Sequence, residues 1–244
     1  MSYIYEAIRT RGFEPRDLEK YYQRLEALAH RVVASPLKFS REELRMEIAE
    51  CLRRSGFSPT RNHAVIVRCH YYGDKDVELL PVEMLYDDFS VRAIRPRIGS
   101  MERVTKESIL LENCSVKDEL LEIHRIKNLH LNGDNSVTMW VTEDDEIVAI
   151  DGAPVVCVFE NEIRFSESIS GVEFQLAYNV VAESHRRVAK GAIRLSDLSQ
   201  AKELLIVDYR GITAIAGWND HNYMNITAEW LASRIGDVEK NQNF

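Results

Sequence analysis

The chain has little that would suit a membrane, a secretory pathway or a polyanionic partner. Its longest apolar runs, such as Ala64–Val67 and Val155–Phe159, fall far short of the roughly 20 residues that span a bilayer. The amino terminus, MSYIYEAIRTRG, lacks the basic, apolar and small-residue order of a secretory signal. A soluble, cytoplasmic protein is therefore expected. Only four cysteines occur, Cys51, Cys69, Cys114 and Cys157, and none of their spacings builds a zinc knuckle or a redox pair. Buried, reduced thiols are the expectation. Basic charge is also in deficit: 31 Lys and Arg face 39 Asp and Glu, a net charge of −8, which repels nucleic acid unless a local surface outweighs it. Arg92, Arg95, Arg97 and Arg103 form one modest basic stretch, readable as a solvated strand end or as a site for a small anion. No Gly-rich phosphate loop, nucleophile elbow or kinase signature occurs. His63 with His70, and His124 with His130, lack the short spacing and third ligand of a metal site, so no metal is expected.

What is present is ample core, 45% hydrophobic residues over 244 positions, in a pattern that mixes strands and helices without regular alternation. Ser2–Thr10 alternates as a strand, and Gly12 to Pro15 interrupt it. Leu18, Tyr21, Tyr22, Leu25, Leu28, Ala29 and Val32 then recur at helical spacing. A second helix opens at Ser40, whose hydroxyl can cap the turn that Glu43 closes, and carries Leu44, Ile48 and Leu52. His63–Tyr72 and Val77–Tyr86 read as a hairpin, with Pro81 placing the second strand at an edge or a bulge, and Phe89–Ile94 as a third strand. Residues 1–96 thus form a smaller α+β domain. Residues 97–116 have little periodicity and read as a connector. Residues 117–244 form a larger domain: a helix with Leu120, Ile123 and Ile126, strands Ser136–Val141, Ile147–Ile150, Val155–Phe159 and Ile163–Phe165, and a helix over Phe174–Val188. A short strand after Gly191, a helix capped by Ser196 or Asp197, a strand over Leu204–Asp208, a last strand and a terminal helix around Ala228–Ile235 follow. This order predicts an α+β fold rather than a doubly wound sheet.

Read with their local sequence, these elements resemble the class IV aminotransferases, the D-amino-acid aminotransferase-like architecture shared by branched-chain aminotransferases and aminodeoxychorismate lyase. The likeness rests on Tyr5-Glu6-Ala7-Ile8-Arg9, Gln23-Arg24-Leu25, Phe39–Ile48, Asn135–Asp151 with Gly152, Ser170-Gly171-Val172 and Leu195–Val207. It implies a barrel-like larger domain, a homodimer, pyridoxal phosphate and an amino-acid or amine substrate. The family's Schiff-base lysine position falls at Ser115, with Lys117 two residues on, and Lys117 is the catalytic candidate. Asp151 stands where the family holds the pyridine nitrogen with a glutamate. Gly171, Val172 and Thr213 are the candidates for the phosphate cup. Other positions depart from the family: Asp208 and Tyr209 replace small or hydroxyl residues, Val65 falls where a phosphate-binding arginine is expected, and Asp118 and Glu119 follow the lysine where an asparagine and a tyrosine belong. Two functions stay open, a pyridoxal-phosphate-dependent aminotransferase or lyase, and a cofactor-free descendant that uses its inter-domain cleft as a binding or partner surface.

Overall fold

The Ser40 side chain sets the start of a helix in the way its neighbours predict: its Oγ accepts from the Glu43 amide at 3.2 Å while the Glu43 carboxylate accepts from the Ser40 amide at 2.7 Å. Two amides that the first turn leaves unpaired are thereby satisfied. The computed structural model describes residues 3–32, 34–70, 76–84, 89–105 and 136–241. These divide into two compact units, residues 3–84 in one and 89–241 in the other.

In the first unit, strands β1 (Tyr3–Arg11) and β2 (Glu14–Pro15) precede helices α1 (Leu18–Val32) and α2 (Arg41–Arg54), and β3 (Asn62–His70) and β4 (Val77–Glu83) follow. They make an antiparallel sheet of order β2-β1-β3-β4. The alternation of β1 puts Ile4 and Ile8 out of solvent, and Leu25 of α1 and Leu44, Ile48 and Leu52 of α2 are buried too. Pro81 lies opposite Val65 on β4, the edge strand, where its missing N–H breaks no ladder.

In the second unit come β5 (Arg97–Arg103), β6 (Ser136–Val141), β7 (Ile147–Ile150), β8 (Val155–Val158), β9 (Ile163–Phe165), α3 (Val172–Glu183), β10 (Val188–Lys190), a 3₁₀ turn (Leu195–Ser199), β11 (Glu203–Asp208), β12 (Gly211–Ala214), β13 (Gly217–Trp218), β14 (His221–Asn222) and α4 (Ile226–Asn241). One sheet has the order β10-β9-β8-β11-β12, the other β14-β13-β5-β6-β7. Val155–Val158 and Glu203–Asp208 are buried along their whole length because both faces of their sheet are covered. Val156, Val158, Leu205 and Val207 pack with Phe174, Ala228 and Leu231 of α3 and α4, whereas Val155, Cys157, Leu204 and Ile206 pack with Met139, Val141 and Ile150 of the other sheet. The period of two that separates these sets also fixes the side to which Asp208 points, that of Leu204 and Ile206.

Four sequence expectations change. Phe89–Ile94 is no strand of the first sheet; it lies in the second unit, tied by a single bridge from Val91 to Ile212. Residues 97–103, read as connector, are β5, whose parallel partner β6 begins at Ser136; it is mostly exposed, so no apolar alternation announces it. The helix expected over Phe174–Val188 begins earlier and ends at Glu183, and the short strand lies just before Gly191, not after it. The expected helix around Leu120, Ile123 and Ile126 lies outside the described residues. Among the described residues no helix is long and apolar enough to cross a membrane.

Candidate functional site

Where β7 ends, the chain turns sharply: Asp151 and Gly152 both take left-handed φ values, 51° and 69°, and the Asp151 amide donates to the Thr138 carbonyl at 2.8 Å. Aspartate tolerates this conformation better than most side chains. In the other sheet β11 and β12 are joined by a two-residue loop, Tyr209-Arg210, closed by the pair Asp208 and Gly211. Gly211 has a φ of 101°, and a Cβ there would lie 2.6 Å from the Ser90 carbonyl oxygen, so only glycine fits. Hairpin tips usually stand in water. This one does not: Asp208, Tyr209 and Arg210 are 7%, 4% and 4% exposed.

Arg210 accounts for that burial. Its Nε donates to Asp208 Oδ2 at 2.7 Å and its backbone amide to Asp208 Oδ1 at 2.9 Å, while Nη1 donates to Asp151 Oδ2 at 3.0 Å. One guanidinium therefore joins a carboxylate of each sheet. Burial alone would push the arginine pKa down, but the charges of Asp208 and then Asp151 outweigh it and raise it above the ordinary value. The cation is fixed at any pH the protein survives.

The remaining candidates lie around this cluster unevenly. Thr213 is three residues beyond Arg210 on β12, opposite Ile206 and 1% exposed. Gly171 is the N-cap of α3 with extended backbone, and Val172 is its first residue. Glu173 follows, only 5% exposed. Lys117, with Ser115, Asp118 and Glu119, lies outside the described residues, as do Cys114, His124 and His130. Among the described residues no group of His, Cys, Asp and Glu is arranged to hold a metal ion.

The chain superposes on solved transaminases along nearly its whole length. A Thermotoga maritima protein provisionally assigned as a branched-chain amino acid aminotransferase superposes with a TM-score of 0.76, covering 98% of this chain and 86% of that one at 14% identity. The chain has the fold of the fold IV transaminases. The Curtobacterium pusillum fold IV transaminase CpuTA1 gives 0.74 at 14% identity, over 98% of this chain and 85% of that one. An aminotransferase from Brucella abortus, bound to the cofactor pyridoxal phosphate, gives 0.70 at 13% identity, over 97% and 88%. No family model matches the sequence, and no curated protein matches it. The α+β architecture expected from the sequence is thus observed, and identities this low speak for the fold alone.

The described residues of this transaminase fold do not suit pyridoxal phosphate. A ring nitrogen held by Asp151 competes with Arg210 for that carboxylate, and seating it costs the buried guanidinium its hydrogen bond to Asp151 while Asp208 stays paired. From the sequence alone Arg210-Gly211 reads as a turn between two strands, and only by analogy as a substrate-facing loop. The only local signal was the Asp-Tyr-Arg-Gly tip itself, since the Asp151 contact spans 59 residues of chain. The basic stretch is likewise accounted for internally. Arg95 donates to the carbonyls of Tyr223 and Ile215, Arg97 donates to Asn222 and the Asn219 carbonyl, and Arg103 pairs with Asp145 at 2.7 Å.

Proposed function

We propose that this chain is a cofactor-free descendant of the fold IV transaminases that works as a binding or partner protein and not as a transaminase or lyase. The observation that carries this reading is the hydrogen bond from Arg210 Nη1 to Asp151 Oδ2 at 3.0 Å. It commits to the protein itself the carboxylate that a pyridinium would need. Asp208 on the hairpin tip supports it, because by resemblance it stands where the family's phosphate cup has small or hydroxyl residues, and here its carboxylate is engaged by Arg210. The competing reading, a pyridoxal-phosphate enzyme with Lys117 as the Schiff-base residue and Asp151 on the ring nitrogen, draws on the shared fold. Fold alone does not carry an activity.

The two readings part in a spectroscopic experiment. Dialysed protein is titrated with pyridoxal phosphate, followed from 300 to 500 nm as roughly one equivalent is added, reduced with borohydride and mapped by mass spectrometry. The cofactor-free reading expects no saturable band and only scattered adducts on exposed lysines. A stoichiometric yellow species whose adduct maps to Lys117 would establish the enzyme.

A further inference from the structure

We infer that Arg210 is an internal ligand: Asp151 and Asp208 form a two-carboxylate cation site at the meeting ends of the two sheets, and the chain fills it with its own guanidinium. This rests on the cofactor-free reading and says what takes the place of a bound group.

Three features carry it. The first is the burial of a two-residue hairpin loop whose tip holds the strongest base among the side chains, with its side chain 3% exposed. A loop placed there by chance would leave its charged end in water. The second is the geometry of capture: Nε and Nη2 approach Asp208 Oδ2 at 2.7 and 2.5 Å, and Nη1 reaches Asp151. The guanidinium plane thus serves two acceptors from different sheets, a task suited to arginine and not to lysine. The third is that the tip is held from behind. The Ile212 amide donates to the Ser90 carbonyl at 3.1 Å, the Arg92 amide to the Ile212 carbonyl at 2.9 Å, and Gly211 abuts Ser90 so closely that no side chain fits. Moving the loop outward would break these contacts together with the ion cluster. The tip is therefore a fixed plug.

Without the plug, two carboxylates face each other across a space shaped for a planar cation, shielded from solvent. Such a pair attracts a replacement of the same charge and shape, and a ligand that binds only the folded state raises its melting temperature.

The test uses the full chain with Arg210→Ala, methylguanidinium as the probe at low millimolar concentration, and sodium and tetramethylammonium chloride as controls for charge and size. Melting is followed by tryptophan fluorescence. The inference expects Arg210→Ala to melt below the parent protein. Methylguanidinium should raise its midpoint saturably, with at least a tenfold lower half-saturating concentration than either control, and should leave the parent protein unmoved. In Arg210→Ala combined with Asp151→Asn and Asp208→Asn the response should vanish. Equal responses in parent and variant, or a response that survives in the triple variant, would overturn it. Should Arg210→Ala not fold, a neutral version with Arg210→Met, Asp151→Asn and Asp208→Asn decides: it folds if unpaired buried charge was the fault, and its failure to fold overturns the inference. A pyridoxal adduct on Lys117 in the parent protein would sink the cofactor-free reading while leaving the methylguanidinium result to stand on its own.

Discussion

Removing either aspartate of the cluster should destabilise the second unit, and the two losses should differ in a fixed order. Asp208 accepts two hydrogen bonds from Arg210, from the backbone amide and from Nε, and Nη2 lies in ion-pair contact with the same carboxylate. Asp151 accepts from Nη1 alone among the Arg210 donors. Asp208→Ala removes the larger share of the partnership from a guanidinium that is 3% exposed, and breaking a buried pair from one side costs about 3–5 kcal/mol. Asp151→Ala leaves the Asp208 contacts in place, so the loss approaches that of one hydrogen bond to a charged group, about 1.5–3 kcal/mol. At about 2–4 °C per kcal/mol for a protein of this size, Asp208→Ala should melt roughly 6–20 °C below the parent and Asp151→Ala roughly 3–12 °C below. The three tryptophans, Trp140, Trp218 and Trp230, all lie in the second unit, so urea titration followed by their fluorescence reports on the unit that holds the cluster. A change within about 0.5 kcal/mol for Asp208→Ala, the size of an ordinary surface substitution, would refute the reasoning. So would a greater loss for Asp151→Ala than for Asp208→Ala.

Three further outcomes follow from other parts of the molecule. The buried Glu203 carboxylate caps α4, accepting from the Thr227 amide at 2.7 Å and the Ala228 amide at 3.3 Å; Glu203→Ala strands both amides and should cost about 2–6 kcal/mol by urea titration, at about 1–3 kcal/mol for each unsatisfied group. In the first unit, burial would push the Glu78 carboxyl up, but its hydrogen bond and charge pairing with Arg68 hold it below the ordinary value. Its folded pKa lies beneath the unfolded one, so its contribution is complete above the usual glutamate range and is lost as pH falls through the folded pKa; Glu78→Gln should flatten the acid limb of the stability profile, read by circular dichroism. Burial pushes the Cys69 thiol up to about 12 and raises that of Cys157 as well, so in a thiol-labelling time course at neutral pH the half-buried Cys51 should react before either, and Cys69 and Cys157 only on unfolding.

Local chemistry was legible in the sequence where neighbours in sequence are neighbours in space. The α1 stripe, the Ser40–Glu43 capping box and the β3–β4 hairpin need only short-range spacing, and each appears where the residues place it. β5 was illegible because its order comes from a parallel partner beginning at Ser136, and an exposed strand needs no alternation of apolar residues. Asp151 stands in the sequence as a candidate site residue; in the structure its left-handed backbone makes a turn and its side chain receives Arg210. Arg210 itself could not be assigned, because nothing near it in the chain specifies which distant carboxylate it meets. The resemblance to the class IV aminotransferases was carried by the order of elements, which packing preserves, while the site residues carry the departures.

The central claim, that Arg210 holds the carboxylate a cofactor would need, is tested most directly by a crystal structure of the full chain grown in excess pyridoxal phosphate. The account predicts the Arg210 guanidinium on Asp151 at about hydrogen-bond distance, with no pyridine ring beside that carboxylate. A ring nitrogen seated on Asp151, with Arg210 turned away from it, would contradict it.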